Sequence, residues 1–209
     1  MQQDNFFKGI HQVETKAGTY TVRYPVFYRD VSYFSIFLMA PLDKIRDLLP
    51  SKRMHPFRLT PWHSMFTITA TEYKVSDLGP YNQVSVGIPF VWDKPSPVFT
   101  GILHKVPETP MIYTVYLPVS TEQALITGIE MARYPEFSAD IQFSKEADWI
   151  HCKVDAEGKN LMNLSCRVIP VKPVSRQHVC PVTLFEDRLL RSDFIFAEAS
   201  AAISKKTVR

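Results

Sequence analysis

Six histidines (His11, His55, His63, His104, His151, His178) and three cysteines (Cys152, Cys166, Cys180) carry the side chains best suited to metal binding or nucleophilic attack. No pair of histidines has the four-residue spacing that presents two imidazoles on one helix face, and no CxxC pair occurs, so no metal site is expected. The nearest approach is His178-x-Cys180, where two residues of a strand share a face as zinc ligands might. A third and fourth ligand would have to come from elsewhere, and a core cysteine beside a surface histidine is the plain alternative. His63, next to Trp62 and ahead of a strand from Met65 to Val75, reads either as a proton shuttle at the edge of the fold or as a loop residue.

Glycine excludes other chemistry. Only 7 of 209 residues are glycine, about half the average usage of roughly 7%. The closest two, Gly79 and Gly87, are eight residues apart. Dinucleotide-binding loops, P-loops and the hydrolase nucleophile elbow all need glycines two to five residues apart, so NAD, ATP and serine-hydrolase routes close and no cofactor is expected. The net charge is +3, and the densest basic run is Lys205-Lys206 before Arg209, a solvated tail rather than a nucleic-acid surface. An odd number of cysteines and a polar start, Met1-Gln2-Gln3-Asp4-Asn5, predict a reducing, cytoplasmic setting. The longest apolar stretch, Phe34 to Leu42, is about half of a membrane span, so no membrane partner is expected. The length predicts one domain over residues 1–209.

The elements that must position any site are mostly strands. Val84, Val86, Ile88 and Phe90 alternate along one segment, and Phe66, Ile68 and Ala70 along another. Further strands are predicted at Tyr20 to Tyr28, Val31 to Met39, Met111 to Leu117, Ala139 to Phe143, Trp149 to Val154, Leu161 to Ile169 and Val179 to Phe185, with a hairpin turn at Asp155 to Lys159 that uses Gly158. Pro41 opens a helix with Leu42, Ile45, Leu48 and Leu49 on one face, and Pro50 ends it. A second helix starts at Ser120, with Gln123 completing a capping box and Ala124, Leu125 and Ile129 facing inward. A third is predicted at Glu198 to Ile203, and the proline-rich connection from Asp93 to Pro110 reads as a lid or an oligomer contact. The fold class is α+β, mainly β: a closed or nearly closed antiparallel β-barrel with a few packed helices around an apolar cavity.

Two stretches resemble the acetoacetate decarboxylase family. Asp77-Leu78-Gly79-Pro80-Tyr81-Asn82-Gln83 looks like that family's Leu-Gly-x-Tyr-x-Glu turn. TEQALITGIEMARYPEF, Thr121 to Phe137, is similar to its x-Glu-x-Ala-x-x-x-Gly-Arg-Glu-x-x-x-Tyr-Pro-Lys-Lys segment, matching at Glu122, Ala124, Gly128, Glu130, Tyr134 and Pro135. The strand and helix from Tyr33 to Pro50 also resemble the family's N-terminal unit. The departures fall on the chemistry. Glu136 stands where the family's Schiff-base lysine stands, Phe137 where a second lysine assists it, Ile129 replaces an arginine and Gln83 a glutamate. The resemblance implies an amine that forms an iminium with a keto acid, and a carboxylate cannot form one. The family's signature decarboxylation is therefore not expected.

An inward-facing Glu136 in an apolar barrel would have a raised pKa, suited to acid/base chemistry beside a carbonyl group. It would also repel a substrate carboxylate, so the expected partner is a small neutral carbonyl compound undergoing isomerisation, dehydration, cyclisation or retro-aldol cleavage. The resemblance thus nominates Glu136, Tyr134 and Tyr81 as catalytic, with Gln83, Phe137, Arg133, Glu130 and His63 as substrate-binding residues. The plainer readings are that Glu136 faces solvent or pairs with Arg133, that Tyr81 and Tyr134 only pack, and that Glu130 bonds backbone or an arginine. Two other functions remain open: a non-catalytic barrel that binds a lipid-like ligand, and a decarboxylase using another amine, Lys94 or Lys105. A homo-oligomer is expected from the resemblance and from the aromatic pair Phe6-Phe7.

Overall fold

The computed structural model describes residues 7–95, 97–98, 111–168, 172–174, 177–196 and 199–201. Its strands are β1 (Val13–Ala17), β2 (Tyr20–Tyr24), β3 (Tyr28–Pro41), β4 (Met54–Pro56), β5 (His63–Ser76), β6 (Tyr81–Trp92), β7 (Met111–Val119), β8 (Glu136–Ser138), β9 (Asp140–Glu146), β10 (Trp149–Ala156), β11 (Lys159–Arg167), β12 (Lys172–Val174), β13 (Gln177–Phe185), β14 (Arg188–Arg191), β15 (Phe194–Phe196) and β16 (Ala199–Ala201). Two short α-helices, α1 (Leu42–Asp47) and α2 (Glu122–Thr127), interrupt them.

The alternating segments assemble into a nine-stranded sheet of order β14-β13-β7-β6-β5-β3, with β15 on β13, β4 on β6 and β8 on β7. Its two faces are covered differently. On one face lies a three-stranded sheet, β11-β10-β9, and between the two sheets sits a core of Phe34, Ala70, Val84, Ala139, Ile141, Cys152, Val154 and Leu164. On the other face the β1–β2 hairpin and α2 cover Tyr73, Leu78, Tyr81 and Val119 with Ala17, Val22 and Ala124. Covered on both faces, the stretch from Gly87 to Phe90 is wholly buried, as the near-continuous apolar run of a sandwiched strand should be.

Several expectations change. Among the described residues no sheet closes into a barrel: β14 and β3 end the strand path as open edges. The sheet nevertheless curls, because the Tyr28 ring on β3 lies 6.3 Å from Phe194 on β15 near its opposite end. Nor is the sheet purely antiparallel, since β7 pairs in parallel with both β8 and β13. The strand predicted from Tyr20 to Tyr28 breaks at residues 25–27, giving β2 and then β3. Thr121, not Ser120, caps α2, accepting from the Ala124 amide at 3.4 Å. Ser120 is engaged elsewhere, accepting from the Asn82 amide at 2.8 Å.

Leu48 and Ile129, predicted to face inward, are 53% and 40% exposed, because α1 and α2 each end before reaching them. Ala199–Ala201 pairs with β12 as a strand, so the helix predicted at Glu198 to Ile203 does not form over those residues. Most of the proline-rich connection from Asp93 to Pro110 lies outside the described residues, as does Phe6. Phe7 is stacked on Phe27 with ring centroids 4.3 Å apart. No helix among the described residues is long and apolar enough to cross a membrane.

Candidate functional site

The segment after α2 has unusual backbone geometry. The helix widens into a π-helical turn, Gly128–Ala132, and the chain then passes through Arg133 in the left-handed region at φ 55°. Amides of Arg133 and Tyr134 close the turn on Ile129 and Gly128 carbonyls at 3.1 and 3.2 Å. Such single π turns re-aim the residues that follow and recur at functional sites. Here they bring Tyr134 and Pro135 down into β8, which runs parallel to β7 with Leu117 opposite Glu136 and Pro118 opposite Phe137.

That register decides which residues meet. Residues directly opposite in a ladder share a face, and neighbours along a strand alternate. Glu136 therefore lies on the face of Leu117 and Val119, and through the pairs Gln83–Val119, Thr71–Gln83 and Tyr73–Tyr81 on the face of Gln83, Tyr73 and Tyr81. Phe137 points to the opposite face and packs against the core between the two sheets. The substrate-binding role expected of Phe137 thus finds no support in its position, because adjacent strand residues cannot line the same pocket.

The Glu136 carboxyl lies directly over Gly128, filling the space that a side chain at position 128 would need. Gly128 has an ordinary helical φ of −66°, so room rather than backbone freedom demands glycine there. Oε2 of Glu136 is sealed from solvent without a hydrogen-bond partner. Burial disfavours the charged form and no cation among the described residues offsets it, so the pKa rises from 4.5 to about 8. At neutral pH the group is mostly a carboxylic acid.

Around it stand four phenols. Tyr73 stacks on Tyr81 at 4.5 Å between centroids, Tyr28 lies 4.7 Å from Tyr73, and Tyr81 donates a long 3.5 Å hydrogen bond to the Tyr28 hydroxyl. The Tyr134 hydroxyl is buried, with Ser192 beside it but no completed hydrogen bond. Burial pushes Tyr28 up to about 12 and raises Tyr73, Tyr81 and Tyr134 as well, and the charge of an ionised Glu136 raises all four further. All four are therefore neutral O–H donors at physiological pH. An open cleft of about 430 Å³ lies on the other side of these strands, where Glu72, Lys74, Asn82 and Ser120 alternate with the residues on the Glu136 face.

The remaining candidates lie elsewhere or are committed. The Glu130 carboxylate accepts from the Gly18 amide at 2.7 Å, tying the β1–β2 turn to the π turn. Arg133 places its guanidinium over the Phe185 ring, 4.6 Å from its centroid, and its charge does not offset the burial of Glu136. His63 opens β5, ten residues before Tyr73, so about 30 Å separates them along an extended strand. Its Nδ1 is 3.0 Å from Thr60 Oγ1, a turn contact at the wrong end of the sheet. Lys94 lies beyond the end of β6 opposite to Tyr81, and Lys105 falls outside the described residues.

Tyr28 and Tyr73 escaped the sequence reading. A signal for Tyr73 was present, because the turn at residues 77–80 makes it the cross-strand partner of Tyr81.

Known proteins resemble this arrangement in fold. An acetoacetate decarboxylase structure from Legionella pneumophila superposes with a TM-score of 0.58 at 13% identity, covering 76% of this chain and 58% of that one. A second acetoacetate decarboxylase structure gives 0.58 at 14% identity, covering 83% and 67%. The chain thus spans little more than half the length of the Legionella protein, and at these identities the likeness is one of fold. No curated protein sequence matches. The acetoacetate decarboxylase family profile matches residues 12–185, most of the chain. A mainly β protein with this fold and this extent of match belongs to the acetoacetate decarboxylase family.

Proposed function

We propose that the Glu136 site carries out acid/base chemistry on a small neutral carbonyl compound and does not decarboxylate keto acids through a Schiff base. One observation carries this reading: a carboxyl group buried without a partner over Gly128 and ringed by the phenols of Tyr28, Tyr73, Tyr81 and Tyr134. Position 136 has no amine to form an iminium, so carbon dioxide would leave without an electron sink. A second negative charge beside a group that already resists ionisation is unfavourable, which selects against substrate carboxylates.

In the proposed step the ionised fraction of Glu136 removes a proton from the carbon next to the carbonyl. The C–H electron pair moves to the carbonyl oxygen, where the Tyr134 hydroxyl donates to the developing enolate, with Tyr81 as a second donor once its O–H turns from the long contact to Tyr28. The protonated Glu136 then returns the proton to a different atom, giving an isomer, or to a departing hydroxyl, giving a dehydrated product. Gln83, on the same face, would orient the carbonyl. The approach of Tyr28 to Phe194 supports a sheet that wraps far enough around these groups to exclude water.

The test is deuterium exchange from D2O into a panel of neutral ketones and 1,3-diketones, followed by NMR. Wild-type protein should catalyse exchange with a rate that rises through a midpoint near the Glu136 pKa of about 8. Glu136→Gln should lower it by about 10²–10⁴-fold, the usual contribution of a positioned base. Exchange unchanged by that substitution rejects the reading. Tight, stoichiometric ligand binding with no exchange in the wild type would assign the site to a non-catalytic binder instead.

A further inference from the structure

Three further side chains with metal-binding donors converge on β13, the strand next to β7 in the sheet. Strand β13 carries His178 and Cys180 on one face, and the link between β14 and β15 supplies Asp193. The pairing of these strands explains the meeting. Val182 pairs with Arg191 and Val179 with Phe194, the same register on either side of a two-residue gap at Ser192 and Asp193. Continued through the gap, that register sets Asp193 opposite Cys180. The register holds through the gap, where the Ser192 amide donates to the Pro181 carbonyl at 2.9 Å, and Asp193 lays its carboxylate against Cys180.

The donor atoms are already close to a coordination geometry. His178 Nε2 lies 2.7 Å from Asp193 Oδ1, Cys180 Sγ lies 3.0 Å from the same oxygen, and Sγ is 3.7 Å from Nε2. Ligands at the usual zinc–sulfur, zinc–nitrogen and zinc–oxygen bond lengths in a tetrahedron stand roughly 3.3–3.6 Å apart. Shifts of about 0.6 Å or less would therefore admit the ion. Cys180 is fully buried, while the His178 and Asp193 side chains are 34% and 50% exposed, so the set is anchored in the core and reached from solvent.

We propose that His178, Cys180 and Asp193 form a zinc site, with a fourth, open position for water. Binding releases the Cys180 thiol proton to solvent and leaves a metal–thiolate bond. His178 presents the Nε2 lone pair, its proton residing on Nδ1, and Asp193 contributes Oδ1. No electron is transferred. Arg191, whose guanidinium lies 2.8 Å from Asp193 Oδ1, is the competitor. Being 54% exposed, it can swing to solvent or move to the other carboxylate oxygen as an outer hydrogen-bond partner. The ion would clip the β14–β15 return onto β13.

Cobalt(II) tests the site in the full-length, untagged, reduced protein. Titration should give a saturable thiolate-to-cobalt charge-transfer band at one ion per chain, displaced by zinc. Cys180→Ser should abolish the band and Cys166→Ser should leave it. Because Cys180 is buried, the exposed donors provide a second arm: His178→Gln and Asp193→Asn should each weaken binding at least about tenfold, with far-UV circular dichroism unchanged, whereas Arg191→Met should tighten it. The proposal is overturned by no stoichiometric band at micromolar cobalt, by a band that persists in Cys180→Ser, or by wild-type affinity in both exposed-donor variants.

Discussion

Glu136 and Asp193 carry the same functional group and are driven in opposite directions, the first up to about 8 and the second down to about 2. Glu136 is buried over Gly128 with an oxygen that no donor reaches, and desolvation alone sets its behaviour. Asp193 is half exposed, and one of its oxygens receives Cys180, Arg191 and His178 together. A carboxyl group here is an acid or an anion according to how many donors its neighbours supply. The deprived carboxyl is suited to moving protons, and the oversupplied one to holding a cation once its donors let go.

The sharpest way to break this contrast is to neutralise Glu136 permanently. Raising its pKa from 4.5 to about 8 means that the folded state binds a proton that the unfolded state releases between those pH values. Stability is fully present below about 4.5 and is lost as pH rises through about 8, by up to ~5 kcal/mol. Glu136→Gln cannot ionise, so its stability relative to wild type should be near equal in mild acid and rise steadily toward pH 9. Denaturant melts across that range measure it, and parallel profiles for the two proteins would show that the carboxyl is not desolvated.

A smaller effect is expected at Gly128. The Glu136 carboxyl occupies the position of the absent side chain, so Gly128→Ala should cost about 1–3 kcal/mol, the range for overpacking. In a Glu136→Ala background that cost should largely vanish, and a double-mutant cycle reads the coupling directly. Equal costs in both backgrounds would place the carboxyl somewhere other than over the glycine.

What the sequence revealed follows from the range of the interactions involved. Alternation over β5 and β6, the turn at Gly158 with its φ of 72°, and the start of α1 after Pro41 are set by neighbours in the chain, and they are legible there. The opposite orientation of Phe137 was legible too, since it follows Glu136 in a strand. The parallel pairing of β7 with β13 joins segments far apart in sequence, and local pattern does not encode it. The same holds for the sheet order that leaves the edges open and carries His63 away from Glu136. His178 and Cys180 could be paired by eye, but Asp193 joins them only through the register that β14 and β15 share on β13.

Tyr134 offers a subtler separation of stability from chemistry. Its buried hydroxyl completes no hydrogen bond, so Tyr134→Phe removes a desolvated polar atom at the cost of no more than the loose approach to Ser192. Stability should change by less than about 1 kcal/mol and in the favourable direction, while deuterium exchange falls. A loss above about 2 kcal/mol would mean that the hydroxyl is a structural donor, and the enolate would then have to find another.

The least costly change falls on the oversupplied carboxylate. Asp193 is held from 3.8 down to about 2, first by the Cys180 thiol and then by Arg191 and His178. Its contribution is therefore present above pH 3.8 and lost as pH falls through about 2. Half exposure lets solvent screen these contacts, so Asp193→Asn should cost less than about 1 kcal/mol at pH 7. That difference should shrink toward nothing near pH 2. Adding zinc at pH 7 should widen it, because an ion bound only by the folded state stabilises wild type more than a variant lacking the third ligand. If zinc leaves the gap unchanged, the three donors serve only to pin the β14–β15 return, and the contrast with Glu136 is one of packing alone.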